Sequence, residues 1–211
     1  MKSNGITFAD LIPAKGERAF FTGVTGSGKS KLAQYLLHDF DSVLIHDGKN
    51  DTHWPGYQRY RRLASLIAAR PRRAIYAPKI DELDDPDMQD AFFKYAFLRR
   101  NVLVYVDELY LVTEGNTIPR HLKACITQGR SLGISTWFAS QRPVSVPQWC
   151  LSESEWKFIF YLELNQDRKR VREVIGLEEE AIAALDPDQH EFFVRYRKRR
   201  EIVKTRLEGV R

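Results

Sequence analysis

The sequence predicts an α/β protein, a mainly parallel sheet between helices, with a β-hairpin at its C-terminal end. Apolar runs alternate with helix-period segments over most of the 211 residues, the pattern of successive βαβ units. One apolar run leads directly into a glycine-rich turn and a helix start. Beyond Glu191 the pattern changes to two β-rich runs around a charged turn, which reads as the hairpin.

The first strand is expected at 18–22, where Ala19-Phe20-Phe21 precede Gly23, and the first helix at 29–40, where Leu32, Leu36 and Leu37 recur at helical spacing. Val43-Leu44-Ile45 places a strand at 42–46, Leu63 and Leu66 a helix at 62–69, and Ala74-Ile75-Tyr76 a strand at 74–77. Pro86 starts a helix over 86–99, whose Phe92, Phe93, Tyr95, Ala96 and Phe97 read as helix core. A buried strand follows at 102–106, a helix at 118–128, and further strands at 134–140 and 157–162. Helices at 167–175 and 178–185 precede hairpin arms at 191–196 and 202–207. Without a linker-like stretch or a repeat, residues 1–211 read as one domain, with the hairpin at about 190–207.

Composition narrows the class further. Hydrophobic residues make up 43% and charged residues 29% of the chain, which excludes disordered, collagen-like and low-complexity architectures. Cys125 and Cys150 are the two cysteines, too few for a disulfide framework, so buried thiols in a reducing compartment are expected. The segment from Met1 to Gly16 has no continuous apolar run of the signal-peptide kind, and no stretch nears the ~18 apolar residues of a membrane helix. The expectation is a cytoplasmic protein without direct membrane insertion.

The net charge of +5, from 33 Lys plus Arg against 28 Asp plus Glu, is unevenly spread. Between His190 and Arg211, Arg195, Arg197, Lys198, Arg199, Arg200, Lys204, Arg206 and Arg211 face only Glu191, Glu201 and Glu208. Arg59, Arg61, Arg62, Arg70, Arg72 and Arg73 form a second basic stretch, and Asp81, Glu82, Asp84, Asp85, Asp87 and Asp90 an acidic one. Clustered basic charge suits a polyanionic partner. A solvated surface with compensating acids explains it equally well.

Gly23-Val24-Thr25-Gly26-Ser27-Gly28-Lys29-Ser30 fits the phosphate-binding pattern G-x-x-x-x-G-K-[ST] between a strand and a helix. Its glycines allow the backbone to wrap phosphate oxygens, and the amides of Gly23, Thr25, Gly26, Ser27, Gly28, Lys29, Ser30 and Lys31 and the helix N-terminus supply positive potential. Lys29 reaches terminal phosphates, and the Ser30 hydroxyl can ligate Mg²⁺. A nucleotide triphosphate is the natural guest. The strand Val102-Leu103-Val104-Tyr105-Val106 ends in Asp107-Glu108, two adjacent acids that repel one another and are costly to desolvate. A metal held by Asp107 and a water deprotonated by Glu108 would account for both. The strand expected at 134–140 runs into Gln141, either an amide that senses the phosphates or a cap for the turn before Pro143. His46 and His53 flank Asp47, Lys49 and Asp51 in what reads as the loop after the second strand, with no common metal spacing.

Together with Asp47-Gly48-Lys49, Gly129-Arg130 and Ser140-Gln141-Arg142-Pro143, these motifs resemble the FtsK–HerA superfamily of P-loop ATPases, most closely its genome-packaging branch from membrane-containing icosahedral viruses. The resemblance covers most of the chain. It implies a RecA-like fold assembled as a homo-oligomeric ring, ATP sites at subunit interfaces and double-stranded DNA in the centre. It implies Lys29, Asp107, Glu108 and Gln141 as catalytic groups and Arg130 as a finger projected into the neighbour's site, with Arg142 the competing candidate. A capsid vertex or membrane protein would be a further partner, and the protein would work in the host cytoplasm or on the virion. The basic hairpin residues Arg197, Lys198, Arg199 and Arg200 are candidate DNA contacts on charge alone. A P-loop kinase or other small-molecule phosphotransferase, and a nucleotide-gated assembly factor, stay open as alternatives.

Overall fold

The computed structural model describes residues 11–51, 53–198 and 201–207. Nine strands form one sheet in the order β3-β4-β2-β5-β6-β1-β7-β8-β9. Strands β1 (Ala19–Thr22), β2 (Val43–Asp47), β3 (Gln58–Tyr60), β4 (Arg73–Tyr76), β5 (Leu103–Asp107), β6 (Ser135–Ser140) and β7 (Trp156–Phe160) are parallel, and β8 (Glu191–Tyr196) and β9 (Ile202–Arg206) add antiparallel at one edge. The helices are α1 (Lys29–Leu37), α2 (Leu63–Ala69), α3 (Ile80–Leu83), α4 (Pro86–Arg99), α5 (Arg120–Gln128), α6 (Gln148–Glu153), α7 (Asn165–Ile175) and α8 (Glu179–Ala183).

Alternation along the strands builds a core on each face. Phe21, Tyr105, Trp137 and Phe158 belong to one face and Phe20, Val104, Phe138 and Phe92 to the other. Strands buried on both sides read as continuous apolar runs in the sequence for this reason. Phe21 stacks on Phe158 at 4.6 Å and meets Trp137 at 5.8 Å, which anchors the central strands that carry the loops above them. Phe92, Phe93 and Ala96 of α4 are buried, and both cysteines are free buried thiols. No helix among the described residues is long and apolar enough to cross a membrane.

Several boundaries differ from the sequence expectation. β3, α3 and α6 are additional elements of three, four and six residues, too short to show a period. The expected helix at 118–128 begins at Arg120 because Pro119 stands at its cap in extended geometry, and α1 ends at Leu37 rather than 40. Asp47 closes β2 instead of opening the following loop and is completely buried. The basic stretch is partly consumed internally. Arg59 bonds Asp47, Arg62 bonds Asp81 and Glu82, and Arg73 donates to the carbonyls of His38 and Phe40.

Candidate nucleotide site

All seven parallel strands point their C-terminal ends the same way, so the loops after β1, β2, β5 and β6 share one rim. β6 lies between β1 and β5, with Thr22 opposite Ser140 and Asp47 opposite Asp107 in register. A cleft of about 260 Å³ on this rim is lined by Thr25, Gly26, Gly28 to Lys31, Lys49, Asp107, Glu108 and Gln141, together with Asp51, His53 and Trp54.

The loop's shape depends on glycine where φ is positive. Gly23 has φ 153°, and a Cβ there would stand 2.5 Å from Cβ of Phe160. Gly28 has φ 107°, with Leu207 and His190 within 3.0 and 3.2 Å of a Cβ. Lys29 opens α1 and is buried, its Nζ donating to the carbonyls of Gly23 at 2.6 Å and Val24 at 2.8 Å. Burial lowers its ammonium to about 8, against the opposing pull of Glu108 and Asp107. A desolvated cation whose bonded partners are neutral carbonyls is short of an anion, and a phosphate would supply one. Ser30 and Lys31 are exposed at the mouth of the cleft, and Ser27 is tied back to the Val24 carbonyl at 2.8 Å.

Glu108 is 3% exposed and sits at φ 70°, a left-handed turn that aims its carboxylate sideways along the rim. Oε1 accepts from Ser140 Oγ at 2.8 Å and from the Gln141 amide at 3.0 Å, while Oε2 accepts from Lys49 Nζ at 2.8 Å. Burial works against the Lys49 charge, but the hydrogen bond and charge of Glu108, with Asp107, outweigh it and hold this ammonium above its ordinary range. Asp107 accepts from the buried Tyr105 hydroxyl at 3.3 Å, and burial and the Asp107 charge keep that phenol protonated. Carboxylate oxygens of Asp47, Asp51 and Asp107 lie within 4.8 Å of one another. Hard oxygen donors of this kind, with Ser30 at the mouth, fit Mg²⁺. Asp47 itself is engaged, accepting from the Asn50 amide at 2.8 Å and from Arg59 at 3.2 Å.

The residues expected around the nucleotide therefore meet in one place. Arg130 does not join them. It is exposed in the short 3₁₀ turn Gly129–Leu132 before β6, at the opposite end of the sheet and about 20 Å away along the six residues of β6 at ~3.3 Å each. Arg142 is bonded within the chain, its Nε donating to buried Asp167 at 2.7 Å. Arg197 and Lys198 also lie at the far end, where Lys198 is paired with Glu17 at 3.2 Å and stands over the Tyr196 ring. Arg199 and Arg200 lie outside the described residues. Sequence reading left Lys49 without a role of its own and did not place Asp51, His53 or Trp54 in the cleft. The adjacency of Lys49 to the Asp47 motif residue was the available signal. His46, fully buried, bonds Gln89 at 2.6 Å, and burial lowers its pKa to about 4.

A glycine-rich loop joining β1 to α1, with β6 inserted between that strand and the one ending in Asp107-Glu108, defines the fold as that of a P-loop NTPase. No protein-family model matches the sequence. The chain is similar to the DNA packaging ATPase P9 of Enterobacteria phage PRD1, 28% identical over 176 residues that span 81% of this chain and 75% of that protein. The genome packaging NTPase B204 of Sulfolobus turreted icosahedral virus 2, in complex with AMPPCP, superposes with a TM-score of 0.74 at 14% identity, over 90% of this chain and 97% of that one. VirB4 of Thermoanaerobacter pseudethanolicus shares the fold at a TM-score of 0.67 and 10% identity, over 91% and 89%. The resemblance to the packaging branch of the FtsK–HerA ATPases, read from the motifs, is thus borne out.

Proposed function

We propose that this chain is an ATP-driven double-stranded DNA translocase that packages a viral genome. The observation carrying this reading is the convergence of Lys29, Asp107, Glu108 and Gln141, from three strand tips, on one cleft. Its similarity to a phage DNA packaging ATPase over most of its length supports DNA as the partner.

The loop amides and Lys29 hold the phosphates, and Ser30 and Asp107 would hold Mg²⁺, which would supply positive charge to offset that of the phosphates. Glu108 takes the proton of the attacking water. The water oxygen bonds to the terminal phosphorus as the bond to the bridging oxygen breaks, and the departing ADP keeps the electron pair. Gln141 lies beside the phosphates as their sensor. Arg130, remote from its own cleft, acts in a neighbouring subunit's site of a homo-oligomeric ring. Its place at the opposite end of the sheet supports action in trans. The Arg142–Asp167 ion pair favours Arg130 over Arg142 as that finger. Arg197, Lys198, Arg199 and Arg200 are proposed DNA contacts, and a capsid vertex or membrane protein a docking partner.

The test is ATP hydrolysis measured with and without double-stranded DNA, alongside the mass of the assembly. Severalfold stimulation by DNA in a multimer is the expected outcome. Hydrolysis indifferent to DNA would point to a phosphotransferase or a nucleotide-gated assembly factor.

A further inference from the structure

The bond between Lys49 and Glu108 sets the proton acceptor of the cleft against an ammonium in the same cleft. Glu108 Oε1 is engaged by Ser140 and the Gln141 amide, so Oε2 is the oxygen left to face a water, and there Lys49 donates at 2.8 Å. While that contact lasts, Lys49 takes one of the two lone pairs of Oε2, and the Gln141 amide, at 3.4 Å, leans on the other, so a water must compete for this oxygen. Lys49 is built to change partners. Its backbone follows Asp47, which Arg59 and the Asn50 amide hold in place, whereas its side chain is 26% exposed toward the cleft. A terminal phosphate carries more negative charge than one carboxylate and attracts a nearby ammonium more strongly at equal distance.

We propose that Lys49 is a positioning residue that holds Glu108 Oε2 while the cleft lacks a terminal phosphate, and that its ammonium transfers to that phosphate when a triphosphate binds. This inference rests on the triphosphate reading of the cleft. It makes Lys49 the group that distinguishes a triphosphate from a diphosphate and releases Glu108 only when there is something to hydrolyse.

The test compares the binding of ATPγS and of ADP, each with Mg²⁺, to the full chain and to its Lys49→Met and Lys49→Arg variants, with folding checked by thermal unfolding. The Lys49→Met change is expected to weaken ATPγS about tenfold and leave ADP within twofold, and Lys49→Arg to keep most of the wild-type preference. Equal losses for both nucleotides, or no loss for either, would reduce Lys49 to a structural role and overturn the proposal. If the variants fail to fold, the wild-type chain decides the matter through a crystal structure with ATPγS. There Lys49 Nζ is expected beyond hydrogen-bond distance of Glu108, and persistence of the pair would overturn the idea. Failure of the parent reading looks different, because the wild-type chain would then bind neither nucleotide.

Discussion

At the scale of single residues the cleft is a set of charges held in unfavourable surroundings. Lys29 is buried on neutral carbonyls and lacks the anion a nucleotide would bring, whereas buried Glu108 is balanced within the chain by Lys49. Replacing Lys29 by Ala is expected to abolish measurable binding of a fluorescent ATP analogue. Glu108→Gln should keep that binding and lose turnover by a factor of about 10² to 10⁴, the usual worth of a positioned base. Hydrolysis by the Gln variant at the wild-type rate would remove Glu108 from that role. Lys157, in the core of β7, poses the same burial problem away from the cleft. Its ammonium bonds the Ser154 carbonyl, and burial, helped by Arg195 and Arg197, lowers it to about 8. The unfolded chain keeps that proton to about 10.5, so between these values it binds more protons than the folded one and stability rises with pH. Lys157→Met should therefore gain most over wild type below pH 8 in urea unfolding, with the gap narrowing toward pH 10; a gap independent of pH would refute the burial cost. The phosphate loop was legible because its signature is eight contiguous residues. The pairing of Lys49 with Glu108 was not, because 59 residues separate partners that only the sheet brings together.

Among the elements, the strands buried on both faces were readable as apolar runs, and Pro86 marked the start of α4. Asp85 before Pro86 accepts from the amides of Asp87 and Met88, so the start of α4 agrees with expectation. β3 was illegible because Gln58-Arg59-Tyr60 offers no apolar pattern and pairs only because β4 presents a free edge. The C-terminal hairpin followed its two β-rich runs, although nothing local could tell that β8 would pair with β7. Substituting Arg197, Arg199 and Arg200 is expected to flatten the dependence of DNA affinity on salt, since fewer counterions would be released. A slope equal to that of the wild type would take the hairpin off the DNA path.

For the whole molecule, the strand order was beyond reach of the sequence, since insertion of β6 between β1 and β5 is decided by crossovers rather than by any one segment. Arg130 precedes β6 and the cleft follows it, so the height of the sheet separates the two, and under the proposed function one end of a chain takes its own nucleotide while the other serves its neighbour's. Mixing Arg130→Ala with Lys29→Ala chains is expected to restore part of the hydrolysis that each lacks alone. Absence of any recovery in demonstrably mixed assemblies would argue against a finger in trans. The hairpin spans the same height: Leu207 and His190 lie beside Gly28 at one end, and Arg197 and Lys198 lie at the other. Phe192 of the first arm stacks on Phe160 at 4.9 Å and Tyr196 on Trp156 at 4.1 Å, so the ribbon is seated on the aromatic interior and ties the two ends of this flank to one packed body.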